Sequence, residues 1–227
     1  MINPLLETRM AQLQEALKKL AAATDESLQT ILNGLTVDTR TARPGLADVS
    51  GLARDARESC LLLVAREHPK ASDLKYVMAV LRVGHDYERI NELCKTLYGR
   101  IGLLHGTPMQ NAVREMMGVI ADIIELHVVV RKTWQRDRTD SVLPSLKAQV
   151  AGLAAAIHAR IAAAQNRIVE IPGVGLSPEM FVELVLSCRH IKRITNLMEL
   201  IPDELSAFDN ISASLPRDPG FVHDPNF

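Results

Sequence analysis

Along most of this chain, apolar residues recur at alternating spacings of three and four, the period of a helix with one buried face. Six such stretches follow one another. Leu6, Met10, Leu13, Leu17 and Leu20 define the first, which runs on through Leu28 and Ile31 to a stop at Gly34. Arg43-Pro44-Gly45 breaks the chain before a second helix, Asp48 to Arg66, whose apolar residues are Leu52, Cys60, Leu61, Leu63 and Val64. His68-Pro69 closes it, since the residue before a proline is pushed out of the helical region. A third helix opens at Ser72-Asp73, whose short side-chain oxygens can accept from free N–H groups. It places Val80, Val83, Tyr87, Ile90, Cys94 and Leu97 on one face. Gly99, Gly102, Gly106 and Pro108 mark its exit.

The fourth helix spans Met109 to Gln135 and carries Val113, Met116, Met117, Ile120, Ile123, Ile124 and His127. The fifth runs from Ser141 to Ile168 with a seam of Leu146, Val150, Leu153, Ile157 and Ile161, and Pro144 is tolerable because it falls in the first turn. Pro172-Gly173-Val174-Gly175 is a loop, after which Ser177-Pro178 opens a sixth helix in the N-cap then N1 order. Pro202 is expected to end it. Beyond it lie Pro216, Pro219 and Pro225 and few aliphatics, a composition that predicts a loosely held tail.

The sixth helix repeats the third at an offset of 104 residues: Arg193 falls on Arg89, Ile194 on Ile90, Leu197 on Leu93, Ser177 on Asp73, Ile191 on Tyr87 and Ile201 on Leu97. Two copies of a three-helix unit follow, neither of which buries its seam with a single helix. The predicted fold is all-α, two tandem antiparallel three-helix bundles. The first repeat occupies residues 1–107, a degenerate second occupies 108–202, and a Pro-rich flexible tail occupies 203–227. Val80, Val83, Ile90, Ile191, Ile194 and Met198 are the expected core.

Composition narrows the class of protein. Hydrophobic residues make up 47 % of the 227, enough for a substantial core, while aromatics are only 4 % and helix formers abound. A net charge of −1 provides no global field for nucleic acid or an anionic membrane. No apolar run approaches the roughly 20 residues that span a bilayer, and the N-terminus lacks the order of a signal peptide. Cys60, Cys94 and Cys188 are odd in number and each sits in an apolar helical pattern, which reads as reduced buried thiols in a cytoplasmic protein.

Candidate chemistry concentrates on the third helix. His85, Glu88 and Glu92 continue a line begun by Leu74, Val77, Met78 and Leu81, so the stripe changes from apolar to ligand-type atoms. Two carboxylates four apart repel by roughly 0.2–0.5 kcal/mol when ionised, and a bound cation would offset that. A solvated acidic face with Arg89 and Lys95 nearby explains the same residues without a ligand. Asp48, Asp55 and Glu58 on the second helix are the nearest further donors. In the second repeat Lys192 replaces Glu88 and Asn196 replaces Glu92, so no metal is expected there; Lys192-Arg193 suits either an acidic partner surface or solvent. His127 reads as a hydrogen-bonded core histidine. Asp137 and Asp140 complement the dipole of the fifth helix.

The stretch REHPKASDLKYVMAVLRVGHDYERINELC resembles the signature of the PhoU-like phosphate transport regulators, in which Pro-x-Ala-x-Asp-Leu-Arg opens a helix ending in Leu-Glu-Arg-Ile-Gly-Asp. HIKRITNLMEL is similar to a worn second copy. The resemblance implies six helices in two triplets and a metal-binding Glu-x-x-x-Asp motif that takes iron or zinc, matched here by Glu88 and Glu92; helical spacing alone adds His85 as a further donor. Departures are Glu92 for Asp, Asn91 for Gly, Lys192 and Asn196 in the second copy, and Ser50 and Arg57 at second-helix positions often acidic. It further implies a regulator of phosphate uptake and phosphate-starvation signalling, a homodimer that binds a phosphate ABC transporter component and a sensor histidine kinase. A competing reading is a helical adaptor that has drifted to a bare scaffold. A di-metal carboxylate oxidase would need Glu-x-x-His pairs, and no His in the chain has Glu or Asp three residues before it. A phosphate-cradling Gly-rich loop with Lys-Ser/Thr is also missing from the sequence, so the residues favour binding over catalysis.

Overall fold

The computed structural model of the protein describes residues 4–34, 47–104, 110–135, 142–169 and 177–206. They form six helices: α1 Pro4–Gly34, α2 Val49–Glu67, α3 Ala71–Leu104, α4 Gln110–Gln135, α5 Leu143–Val169 and α6 Pro178–Ser206. The all-α expectation holds, and each helix lies where its apolar period placed it. The breaks at 43–45, 106–108 and 172–175, Asp137, Asp140 and the chain from 207 onward lie outside the described residues.

Caps account for several boundaries. Asp48 Oδ1 accepts from Gly51 N at 2.9 Å and starts α2, while His68 ends it in the left-handed region at φ 43°. Ser177 Oγ accepts from Met180 N at 3.3 Å at the head of α6. Three expectations need correction. α3 opens at Ala71 rather than Ser72-Asp73, because the Lys70 carbonyl already accepts from Leu74 N at 2.8 Å. Gly99 and Gly102 do not end α3, which runs to Leu104; Ile101 and Leu104 are buried, and that burial outweighs roughly 1 kcal/mol per helical glycine. Pro202 does not end α6 either. It is buried inside the last turns together with Ile201 and Leu205, and residues 203–206 are helical rather than part of the tail.

Each triplet closes on its own seam, α1 with α2 and α3, α4 with α5 and α6. In the first, Ser27 of α1 meets Asn91 of α3 and Gly34 lies under the ring of Tyr98, so α1 and α3 run parallel. α2 returns between them: Arg9 of α1 pairs with Glu67 at its end, and Cys60 lies against the Val77 carbonyl of α3. The second triplet follows the same course, with Glu115 and Asp122 of α4 pairing with Arg167 and Arg160 of the antiparallel α5. All six expected core residues, from Val80 to Met198, are at most 1 % exposed. By contrast Leu61 and Val64, read from spacing as apolar residues of α2, stand exposed.

The triplets meet chiefly along α3 and α6, the most extensive helix contact in the molecule. Arg100 near the end of α3 pairs with Glu183 near the start of α6, and Asp86 of α3 neighbours Glu204 at the end of α6, so these equivalent helices run antiparallel. α1 also meets its counterpart α4. Equivalent helices facing each other is the arrangement an approximate internal two-fold requires, with α2 and α5 on the outside.

Candidate functional site

Two polar groupings stand out, one on the surface of the first triplet and one inside the molecule. The surface grouping holds the predicted ligands. His85, Glu88 and Glu92 lie along the side of α3 between the face that packs on α2 and the face that packs on α6. Glu88 Oε2 accepts from Arg57 Nη2 of α2 at 3.2 Å, and His85 Nδ1 stands 3.9 Å from the same oxygen. Glu92 turns one turn further along to accept from Lys95 Nζ at 3.0 Å. The structure thus brings His85 and Glu88 together but sends Glu92 to a different cation.

The α2 carboxylates do not complete a ligand set. Asp48 is spent on its cap, and Asp55 stands 3.9 Å from Arg54. Glu58 is exposed. Among the described residues no group of three or more His, Cys, Asp or Glu is placed to hold a metal ion. Iron or zinc needs donors converging at about 2.0–2.3 Å, and here the one oxygen shared by two groups already faces a guanidinium. As arranged, these residues do not fit a metal. In the second repeat Lys192 and Asn196 are both exposed, as their polarity requires.

The interior grouping was read only in part from sequence. His127 is wholly buried, as expected of a core histidine, and both ring nitrogens are engaged. Nδ1 lies 2.5 Å from Asp25 Oδ1 and Nε2 lies 3.2 Å from the Tyr87 hydroxyl. A carboxylate only accepts, so Nδ1 carries the proton and Nε2 accepts from Tyr87. Arg131, one turn from His127 on α4, takes the other Asp25 oxygen at 2.7 Å. Burial pushes the Tyr87 phenol far above its ordinary pKa; the Trp134 indole N–H beside it works the other way without completing a well-aligned hydrogen bond. Asp25 gave no signal in the sequence, because it lies among polar residues on α1 and its partners come from another repeat.

Next to this grouping, Ser27 and Asn91 form a buried pair at 2.8 Å. Ser27 has one proton, directed to the Ala23 carbonyl at 3.0 Å, so its oxygen suits the Asn91 amide turned to donate from Nδ2. Asn91, where the resembled signature has Gly, is therefore a packing residue that ties α3 to α1.

The three cysteines are free and buried. Desolvation raises Cys60 and Cys94 to about 12 and Cys188 to about 11, which leaves all three as inert thiols near neutral pH. No helix among the described residues is long and apolar enough to cross a membrane.

Together these features define a class, a paired three-helix scaffold whose two triplets join along α3 and α6. Residues 13–101, spanning α1 to α3, match the PhoU domain family model. The crystal structure of PhoU from Pseudomonas aeruginosa has the same fold, with a TM-score of 0.73 over 90 % of this chain and 98 % of that one at 16 % identity. Over residues 13–101 the first triplet is thus similar in sequence to a PhoU domain, and both triplets are PhoU-like in fold. No curated protein matches the chain.

Proposed function

We propose that the protein is a PhoU-like regulator of phosphate uptake and phosphate-starvation signalling that works in the cytoplasm by binding rather than by catalysis. The observation that carries this is the PhoU domain match over the first triplet, supported by the shared fold across both triplets. The partners proposed are a phosphate ABC transporter component and a sensor histidine kinase, and the assembly proposed is a homodimer.

Asp25, His127 and Tyr87 form a chain of acid, imidazole and hydroxyl, but His127 and Tyr87 are fully enclosed, so this grouping joins the repeats rather than meeting a substrate. The test is genetic. Deleting the gene should switch on phosphate-starvation expression in phosphate-rich medium; unchanged expression would sink the regulatory reading.

One observation favours the alternative of a drifted scaffold that keeps the fold without metal, namely the capture of Glu88 by Arg57. The two readings differ in that deletion test, since a drifted scaffold leaves phosphate-starvation expression alone.

A further inference from the structure

Glu88 is the carboxylate on which metal binding in the first repeat turns, and a permanent cation already holds it. Arg57 reaches across from α2 to place Nη2 3.2 Å from Glu88 Oε2, so the oxygen a metal would need already faces a guanidinium. Arginine does not lose its proton in proteins, so this charge is present at every working pH. His85 Nδ1 lies 3.9 Å from that oxygen on the same side of α3, and Lys95 neutralises Glu92. A divalent ion would have to displace Arg57 and then sit beside its charge.

The second repeat reaches the same end by another route. The 104-residue offset puts Lys192 on the position of Glu88 and Asn196 on that of Glu92, so the cation comes from α6 itself. Lys192 is exposed. Each repeat thus has a side-chain ammonium or guanidinium where the motif of the resembled family would gather a metal.

We infer that Arg57 and Lys192 stand in for bound metal, so that this PhoU-like scaffold carries its surface cations covalently and keeps its structure whatever the metal supply. Neither cation is needed to hold the helices together. Cys60, Leu63, Val77 and Val80 pack the α2–α3 seam, and the Arg57 side chain is 49 % exposed, where an ion pair contributes little. What the substitution fixes is charge. The α2–α3 face and the face of α6 keep their positive groups in the presence of a chelator, whatever the zinc or iron concentration.

The experiment titrates chelator-stripped, full-length protein with zinc chloride by calorimetry and follows melting with and without EDTA. Wild type should take up no stoichiometric zinc and melt at the same temperature in EDTA. R57E, which exchanges the guanidinium for a third carboxylate facing Glu88 and His85, should gain one zinc per chain and a zinc-dependent rise in melting temperature. Both gains should vanish in R57E/E88Q. A wild-type protein that binds one zinc, lost in E88Q/E92Q, overturns the inference by showing that Arg57 swings away; a folded R57E that binds none overturns it by showing that Arg57 does not occupy the ion's place. Should R57E not fold, the wild-type titration decides alone. None of these outcomes bears on the gene-deletion test, so the metal inference and the regulatory reading fail separately.

Discussion

Asp25 of α1 and His127 of α4 are separated by 102 residues of chain and by 2.5 Å in the folded molecule, and through that contact the first repeat grips the second. Arg131 holds the other oxygen of the same carboxylate, and the far side of the imidazole accepts from Tyr87 of α3. Three helices from two repeats are joined at one enclosed point. Replacing His127 with Leu strands the buried Tyr87 hydroxyl and takes one partner from Asp25, and should cost about 2–4 kcal/mol in urea unfolding. Asp25→Asn should cost less. The double variant should fall short of the sum by at least about 0.5 kcal/mol, as groups in one network do; strict additivity would mean the contact carries no energy.

Ile90 sits in the middle of the α3 seam with no exposure at all. Ile90→Asp places an unpaired charge there and should cost more than about 4 kcal/mol, whereas Ile90→Val should cost about 0.5–1.5 kcal/mol. Thermal melts of the two variants check the ranking, and equal melting temperatures would refute the seam as drawn.

Across the α3–α6 contact, Asp86 and Glu204 give a pH dependence of definite sign. Burial is the first cause that raises both carboxyls; Asp86 raises Glu204 further, while His85 and Arg89 partly offset the shift at Asp86. A folded-state pKa above the unfolded value means that the native state holds the proton longer. The pair therefore contributes stability below the ordinary carboxylate range and loses it as pH rises through the raised values. Glu204→Gln should flatten stability between mildly acid and neutral pH and melt no lower than wild type at pH 7. Both side chains are only partly buried, so the effect is small, and a variant steeper in pH than wild type would reverse the assignment.

The glycines inside helices divide by what surrounds them. Nothing lies within 4 Å of the position a Cβ would take at Gly99 or Gly152, so alanine there should stabilise by about 0.5–1 kcal/mol through helix propensity and a less flexible unfolded chain. At Gly34 a Cβ would fall 2.4 Å from Cε2 of Tyr98, so Gly34→Ala should destabilise. Denaturant midpoints of the three alanine variants settle the order.

The helices and their buried faces were legible in the sequence because each depends on local spacing: a residue such as Ile90 or Ile194 repeats with its neighbours every three or four positions and needs no knowledge of the rest of the chain. The internal repeat was legible for the same reason, since the Arg-Ile pairs at 89–90 and 193–194 sit in equivalent patterns. The ends of α3 and α6 were not. Gly102 and Pro202 oppose a helix locally, and what overrules them is the burial of Leu104 and Leu205, which exists only once the triplets are packed.

The candidate site divides along the same line. That His85, Glu88 and Glu92 share a side of α3 follows from helical period alone. Which cation each carboxylate meets depends on α2 returning antiparallel beside α3, and this alone sets Arg57 against Glu88. Asp25 lay outside any reading of the chain, because its meaning comes from His127 and Arg131 on a helix of the other repeat. Sequence by itself determined the period, the repeat and the PhoU-like character of the first triplet. Only the tertiary structure decided the charge partners, because ion pairs and buried hydrogen bonds form between residues that packing, and not chain order, makes neighbours.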